Sequence, residues 1–182
     1  MGVTPLLTNS QGRDFCPYLF IVINIWMKVH FIDRLDKTFV NVNKLLLEFE
    51  LFKDRITDVT NHGNAVLVQK KFHLILNNKE SEDLNKVEYT LSVINQLKEH
   101  LEFDSVTYRF VMPNTCYNWH NDAGEICLHI PLLTNPGCHF VYDHRAFSMP
   151  ADGSVYVVNN GRMHTFVNAG ASPRLHLTFE KL

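Results

Sequence analysis

Residues 118–136 read NWHNDAGEICLHIPLLTNP. From Ile126 the apolar side chains of Ile126, Leu128 and Ile130 alternate with Cys127 and His129, the period of a strand that lays one face on a core. Just upstream, His120 and Asp122 stand two apart, so on extended backbone both side chains leave the same face and together could hold one divalent ion. The pair alone is weak evidence, since ten His and ten Asp among 182 residues give roughly half of one H-x-D by chance.

The same period of two runs outward from this stretch. Val106, Tyr108 and Phe110 alternate with Thr107 and Arg109, and further strands are predicted at 138–143 (CHFVYD), 154–158 (SVYVV), 163–167 (MHTFV) and 174–180 (RLHLTFE). Between them stand the turn formers Asn135-Pro136-Gly137, Pro150-Ala151-Asp152-Gly153, Asn159-Asn160-Gly161 and Asn168-Ala169-Gly170. Short strands at such regular spacing predict a mainly β protein, an antiparallel jelly roll or barrel of cupin type.

The first half reads differently. Leu45, Leu46, Phe49, Phe52 and Ile56 recur at three- and four-residue steps over 42–56, and Leu84, Val87, Leu91, Ile94, Leu97 and Leu101 do so over 83–101, predicting two amphipathic helices. Residues 65–76 (AVLVQKKFHLIL) predict one or two strands. These stripes are core contacts that cover the outer face of the sheet. The expected organisation is an N-terminal appendage over 1–28 and one domain over 29–182, with a helical buttress at 29–102 and the jelly-roll core at 103–182.

Composition narrows the function. The formal charge is -2 and no basic run exceeds Lys70-Lys71, which argues against nucleic acid as a partner. Six of the ten histidines fall from His120 onward, where chemistry is therefore expected. Cys16, Cys116, Cys127 and Cys138 form no C-x-x-C pair, so they are read as reduced thiols in a cytoplasmic protein. The apolar run at 15–27 is shorter than a bilayer span and contains Pro17, so a membrane anchor is not expected. The residues before it lack the basic start of a signal peptide, and Met27 offers a second start. Cys116 and Cys127, eleven positions apart, do not suit a thiolate zinc site.

A third ligand strengthens the metal reading. His164 follows a Gly-containing turn on a later strand, which a jelly roll can bring beside the first. Two histidines and one carboxylate leave three positions open on an iron, the set used by non-haem Fe(II) oxygenases. Arg174 begins the last predicted strand, sharing a face with His176 and Thr178, and its fork suits a carboxylate.

At this point the sequence resembles the aspartyl/asparaginyl β-hydroxylase family of Fe(II)- and 2-oxoglutarate-dependent oxygenases, which includes proline hydroxylase-like members. The resemblance runs from about Tyr108 to Phe179. It rests on the H-x-D at His120 and Asp122, the HIPLLTNP segment from His129, the Asp152-Gly153 turn, H-x-x-x-N from His164 to Asn168, and P-R-L-H-L from Pro173 to Leu177. It implies iron ligation by His120, Asp122 and His164, a salt bridge from Arg174 to the far carboxylate of 2-oxoglutarate, and His129 as a second donor there. Many relatives carry R-x-H where this chain has Cys127-Leu128-His129, so a second arginine is missing. The implied reaction consumes 2-oxoglutarate and O2, releases succinate and CO2, and hydroxylates an aspartyl, asparaginyl or prolyl residue in a peptide, or a free amino acid.

Other residues near the motif are weighed in the same way. Arg162 and Arg145 are candidates to grip an anionic substrate, and Trp119 to wall the pocket. Asn168 is expected to close its own turn. The rival reading is a catalytically inactive cupin-like module that binds a metal or ligand and turns nothing over.

Overall fold

The computed structural model describes residues 31–59, 69–122 and 126–181. The expected N-terminal appendage and the first part of the predicted strand at 65–76 lie outside the described residues.

Among the described residues, twelve strands form two antiparallel sheets. The main sheet contains β1 (Ile32–Phe39), β2 (Thr57–Val59), β3 (Gln69–Leu76), β4 (Lys79–Glu80), β5 (Ser105–Val111), β7 (Ile126–Leu133), β10 (Ser154–Asn159) and β12 (Arg174–Glu180). Its order is β1-β10-β7-β12-β5-β3-β2, with β4 paired to β3. The minor sheet contains β6 (Thr115–Cys116), β8 (Cys138–Tyr142), β9 (Arg145–Phe147) and β11 (His164–Asn168), in the order β6-β11-β8-β9. These are the two sheets of a jelly roll.

The two faces of the main sheet have opposite chemistry. Leu128, Ile130, Leu132, Leu175, Leu177, Phe179, Val106, Tyr108, Val155 and Val157 are buried in one cluster with Leu45, Phe49, Ile94 and Leu97 of helices α1 (Val42–Phe49) and α2 (Glu88–Lys98). The alternating residues face the minor sheet. One row across that inner face runs His73, Thr107, Thr178, His129, Tyr156 and Arg34 in cross-strand register. The minor sheet answers with Phe140, Tyr142 and Phe166, which join a second cluster with Phe31, Tyr156 and Val158.

The expected helical buttress is only partly helical. Both helices form on the predicted stripes but are shorter, with 3-10 turns at Lys53–Arg55 and Leu84–Lys86 replacing the outer turns. The rest of 29–102 contributes β1, β2, β3 and β4 to the main sheet, because backbone groups at the sheet's flanks need strand partners. The Asp152-Gly153 turn sets up one such pairing. Gly153 has φ +88, and a Cβ there would lie 2.6 Å from the Val40 carbonyl oxygen. The close approach lets Val40 N–H donate to the Gly153 carbonyl at 2.8 Å.

Asn168 closes its turn as expected and does more. Fully buried, it donates from Nδ2 to the carbonyls of Val111, Met112 and Ser172, while its Oδ1 accepts from Asn135 and Gly170. The amide thus ties both sheets at one end of the roll.

Candidate metal centre and its pocket

His120 and His164 meet as an isolated antiparallel bridge, His120 N–H donating to His164 O at 3.0 Å and His164 N–H to His120 O at 2.8 Å. The backbone pairing puts both rings on one side, with centroids 4.4 Å apart. Asp122 is held by a second pair of contacts: its N–H donates to Asn160 O (2.9 Å), and Asn160 Nδ2 donates to its Oδ2 (3.1 Å). That leaves Oδ1 turned toward His120, 3.8 Å from Nε2. One ligand atom from each of the three residues lies within 4.8 Å of the others, and this is the one such group among the described residues.

The ring tautomers follow from what each Nδ1 touches. His120 Nδ1 lies 2.7 Å from the Asn118 carbonyl and His164 Nδ1 lies 2.9 Å from the Arg162 carbonyl. A carbonyl only accepts, so each Nδ1 carries the proton and each Nε2 keeps its lone pair for a metal. Burial holds the His164 pKa below its ordinary value, against the opposing pull of the Arg162 carbonyl, which favours the neutral ligand form. His164 is buried, whereas His120 and Asp122 have side chains 37% and 47% exposed, so the triad opens to solvent on one side. Two neutral imidazoles and a carboxylate with open positions fit Fe(II).

Deeper between the sheets lies Arg174, 3% exposed. Its guanidinium stacks 3.8 Å from the Phe166 ring centroid and 5.4 Å from that of Phe140. Its Nε donates to His176 Nε2 (2.9 Å), and a terminal nitrogen lies 2.6 Å from His176 Nδ1. A neutral imidazole accepts at one nitrogen only, so most of the five guanidinium N–H groups have no acceptor there. Among the described residues no carboxylate pairs with Arg174, and burial pushes its pKa down to about 9. A cation kept in such a place fits an anion from outside the chain. The cleft beside it is lined by Thr134, Cys138, Phe140, Met149, Phe166 and His176.

His129 stands next along the inner face. Its Nδ1 is 3.1 Å from His176 Nδ1, and its Nε2 is buried with no hydrogen-bond partner. Three tyrosine hydroxyls share that condition among the described residues: Tyr156, directly across from His129, Tyr117 on the minor-sheet edge, and Tyr142 beside His164, its ring centroid 5.7 Å from the imidazole's. Arg162 and Arg145 flank the mouth, both stacked on Phe31, at 4.7 and 5.4 Å. Arg162 also lies 3.9 Å from Asp143. Trp119 is half exposed. Cys116 is exposed and Cys127 buried, and neither joins the metal group.

Sequence reading did not single out Tyr117, Tyr142, Asn160, or the inward pair Lys71 and Arg109. The signal was present for Arg109, which alternates with Tyr108 and Phe110 in phase with the inner face.

A jelly roll that brings two imidazoles and a carboxylate to its mouth, with a buried guanidinium deeper in, fits the class of 2-oxoglutarate- and iron-dependent oxygenases. The chain belongs to the aspartyl/asparaginyl β-hydroxylase family of these enzymes, whose model matches residues 43–181. No curated protein matches the sequence. Solved structures share the fold at low identity. A 2OG-Fe(II) oxygenase family oxidoreductase from Burkholderia pseudomallei is 12% identical with a TM-score of 0.59, over 90% of this chain and 89% of that one. A prolyl-4-hydroxylase from Pseudomonas putida is 14% identical with a TM-score of 0.58, over 91% and 99%. A viral collagen prolyl hydroxylase from Paramecium bursaria Chlorella virus-1, solved with 2OG, is 13% identical with a TM-score of 0.50, over 82% and 94%. Among the described residues no helix is long and apolar enough to cross a membrane.

Proposed function

We propose that His120, Asp122 and His164 ligate Fe(II), that Arg174 binds the distal carboxylate of 2-oxoglutarate with His129 beside it, and that the substrate is an amino-acid side chain, free or in a peptide. The observation that carries this reading is the pairing of a preorganised triad with a buried guanidinium that has no carboxylate partner among the described residues. A module that only binds a metal has no physical need for that cation.

When bound, Fe(II) with 2-oxoglutarate and O2 supplies the oxidant that converts a C–H bond to C–OH, as succinate and CO2 leave. The chain's own residues do the positioning. The Asn118 and Arg162 carbonyls hold the two imidazoles with Nε2 forward, and Asn160 holds the Asp122 carboxylate with Oδ1 forward. Phe140, Phe166 and Tyr142 exclude water from the inner wall. Arg162 and Arg145 at the mouth are placed to meet a polar substrate. The family name supports an aspartyl or asparaginyl group, and the prolyl hydroxylases among the structural neighbours keep prolyl groups in range.

Anaerobic addition of Fe(II) and then 2-oxoglutarate to metal-free protein tests the reading. A weak visible charge-transfer band of the chelated 2-oxo acid is expected, absent in His164→Ala and requiring much more 2-oxoglutarate in Arg174→Ala, by about 2 to 4 kcal/mol of lost affinity. No band in the wild type would instead support a binding module.

A further inference from the structure

His176 stands behind the two residues that line the anion end of the roll. It is 1% exposed and lies two positions after Arg174 on β12, so both side chains leave the same inner face. The register of β7 with β12 aligns His129 with Thr178 and Pro131 with His176, which makes His129 and His176 diagonal neighbours. Ring side chains reach across such a diagonal. The two imidazoles meet edge to face, with centroids 5.4 Å apart and Nδ1 atoms 3.1 Å apart. Arg174 and His129 also share a wall, each packing on Phe140 at 5.4 Å. His176 thus joins the guanidinium to the His129 ring.

Burial first, and the Arg174 charge second, hold both imidazoles well below the ordinary histidine pKa, so each ring is neutral, with one proton and one lone pair. A guanidinium only donates, so Arg174 Nε gives its proton to His176 Nε2 at 2.9 Å. That leaves the His176 proton on Nδ1, from which it donates to His129 Nδ1. The 2.6 Å approach of the terminal Arg174 nitrogen to His176 Nδ1 is then a contact of two donors, the one unfavourable contact of this arrangement. In the opposite tautomer the single Nδ1 lone pair would have to serve both Arg174 and His129, and Nε2–H would face the guanidinium Nε–H. Only the first arrangement gives each lone pair one donor. With Nδ1 accepting, His129 carries its proton on Nε2, the buried atom that has no hydrogen-bond partner.

We propose that His176 is a positioning residue: it accepts from Arg174, donates to His129, and so fixes the His129 proton on Nε2, where it meets the bound anion as a donor beside the guanidinium. The inference rests on the oxygenase reading above, which supplies the anion, a carboxylate. It accounts for the polarity of His129, because a bare Nε2 lone pair would repel the carboxylate that Arg174 attracts. Among these three residues the only charge is that of Arg174, matched to one carboxylate. The two histidines add direction to the pocket and no further charge.

The test uses the full chain loaded with Zn(II), a diamagnetic ion, with isotopically labelled histidine ring nitrogens. Proton–nitrogen correlation spectra report which nitrogen of each ring is protonated, His129 being assigned by its loss in His129→Gln, and calorimetry reports 2-oxoglutarate affinity. In wild type, His129 is expected with its proton on Nε2 and His176 with its proton on Nδ1. His176→Leu removes both the acceptor and the donor. His129 is then expected to lose its single tautomer, and 2-oxoglutarate affinity to fall about tenfold at a urea midpoint near wild type. His176→Asn keeps an oxygen to accept from Arg174 and an N–H to donate to His129, so it is expected to restore both. A merely structural role predicts no change of tautomer and an affinity that follows the urea midpoint. The proposal is overturned by a wild-type His129 protonated on Nδ1, a result that needs no variant to fold, or by a His176→Leu protein that keeps tautomer and affinity. A wild type with the expected tautomers that binds no 2-oxoglutarate removes the oxygenase reading and leaves the hydrogen-bond chain standing.

Discussion

Lys71 shows what burial does to a single residue of the inner face. Burial first, and the Arg109 charge second, push its pKa from 10.5 down to about 8. The folded value lies below the unfolded one, so between about pH 8 and 10.5 the unfolded chain binds more protons and stability rises with pH. Below that window both states are protonated and the full penalty of a buried ammonium persists. Lys71→Met is therefore expected to raise the urea midpoint at pH 7.5, with the gain shrinking toward pH 10.5; a gain that is the same at both pH values would show that the charge is not its cause. Lys71 and Arg109 were hard to recognise in the sequence for a related reason. Charged residues alternating with Phe72, Tyr108 and Phe110 read as a solvent face, and only the second sheet makes that face an interior. The triad was legible because two histidines and an aspartate at that spacing are residue types that suit a divalent ion, and Arg174 because an arginine at that strand start shares a face with His176. The hydroxyls of Tyr117 and Tyr142 carried no such signal, since a tyrosine in a strand is ordinary core material.

At the scale of elements, the two helices are joined by a carboxylate. Glu48 near the end of α1 accepts Tyr89 N–H at 2.8 Å, Thr90 N–H at 2.7 Å and the Thr90 hydroxyl at 2.6 Å, which satisfies open donors of the first turn of α2. In return Asn41, the N-cap of α1, donates its N–H to the Tyr89 hydroxyl at 2.7 Å. No local capping residue serves α2, because Val87 at its start has no side-chain acceptor. Glu48→Ala is expected to cost about 1 to 3 kcal/mol in urea unfolding, the range for a lost cap that strands buried donors, with metal and 2-oxoglutarate affinity unchanged. A loss of affinity equal to the loss of stability would mean that the helices help shape the pocket directly. The periodicity located both helices but not their ends. Those depend on Glu48 reaching 41 residues along the chain, which no local pattern reports. The short strands β6 and β9 and the polar edge strand β1 were missed because two or three residues, or a sequence such as IDRLDKTF, carry no period of their own.

For the whole molecule, the interior between the sheets is built with donors that its own chain does not satisfy. Arg174 has no carboxylate partner among the described residues, and His129 Nε2, Tyr117 Oη and Tyr142 Oη are buried without hydrogen-bond partners. Each such atom costs stability in the free protein, about 1 to 3 kcal/mol for an unsatisfied buried group. Ligands that supply the missing partners bind the folded state and not the unfolded one, so they must raise the unfolding midpoint. At a hundredfold excess over Kd, one ligand adds about 2.7 kcal/mol. For a chain of this size that is a rise of about 5 to 10 °C. The increments should separate along the roll. Mn(II) alone is expected to stabilise wild type and Arg174→Met but not His164→Ala, because the triad is complete without the anchor. Adding 2-oxoglutarate should give a second rise in wild type that Arg174→Met loses, because that variant keeps the metal and lacks the cation. If 2-oxoglutarate gave its full rise in His164→Ala with no metal bound, the carboxylate pocket would be a binding site in its own right, and the coupling between the two ends of the roll would have to be abandoned.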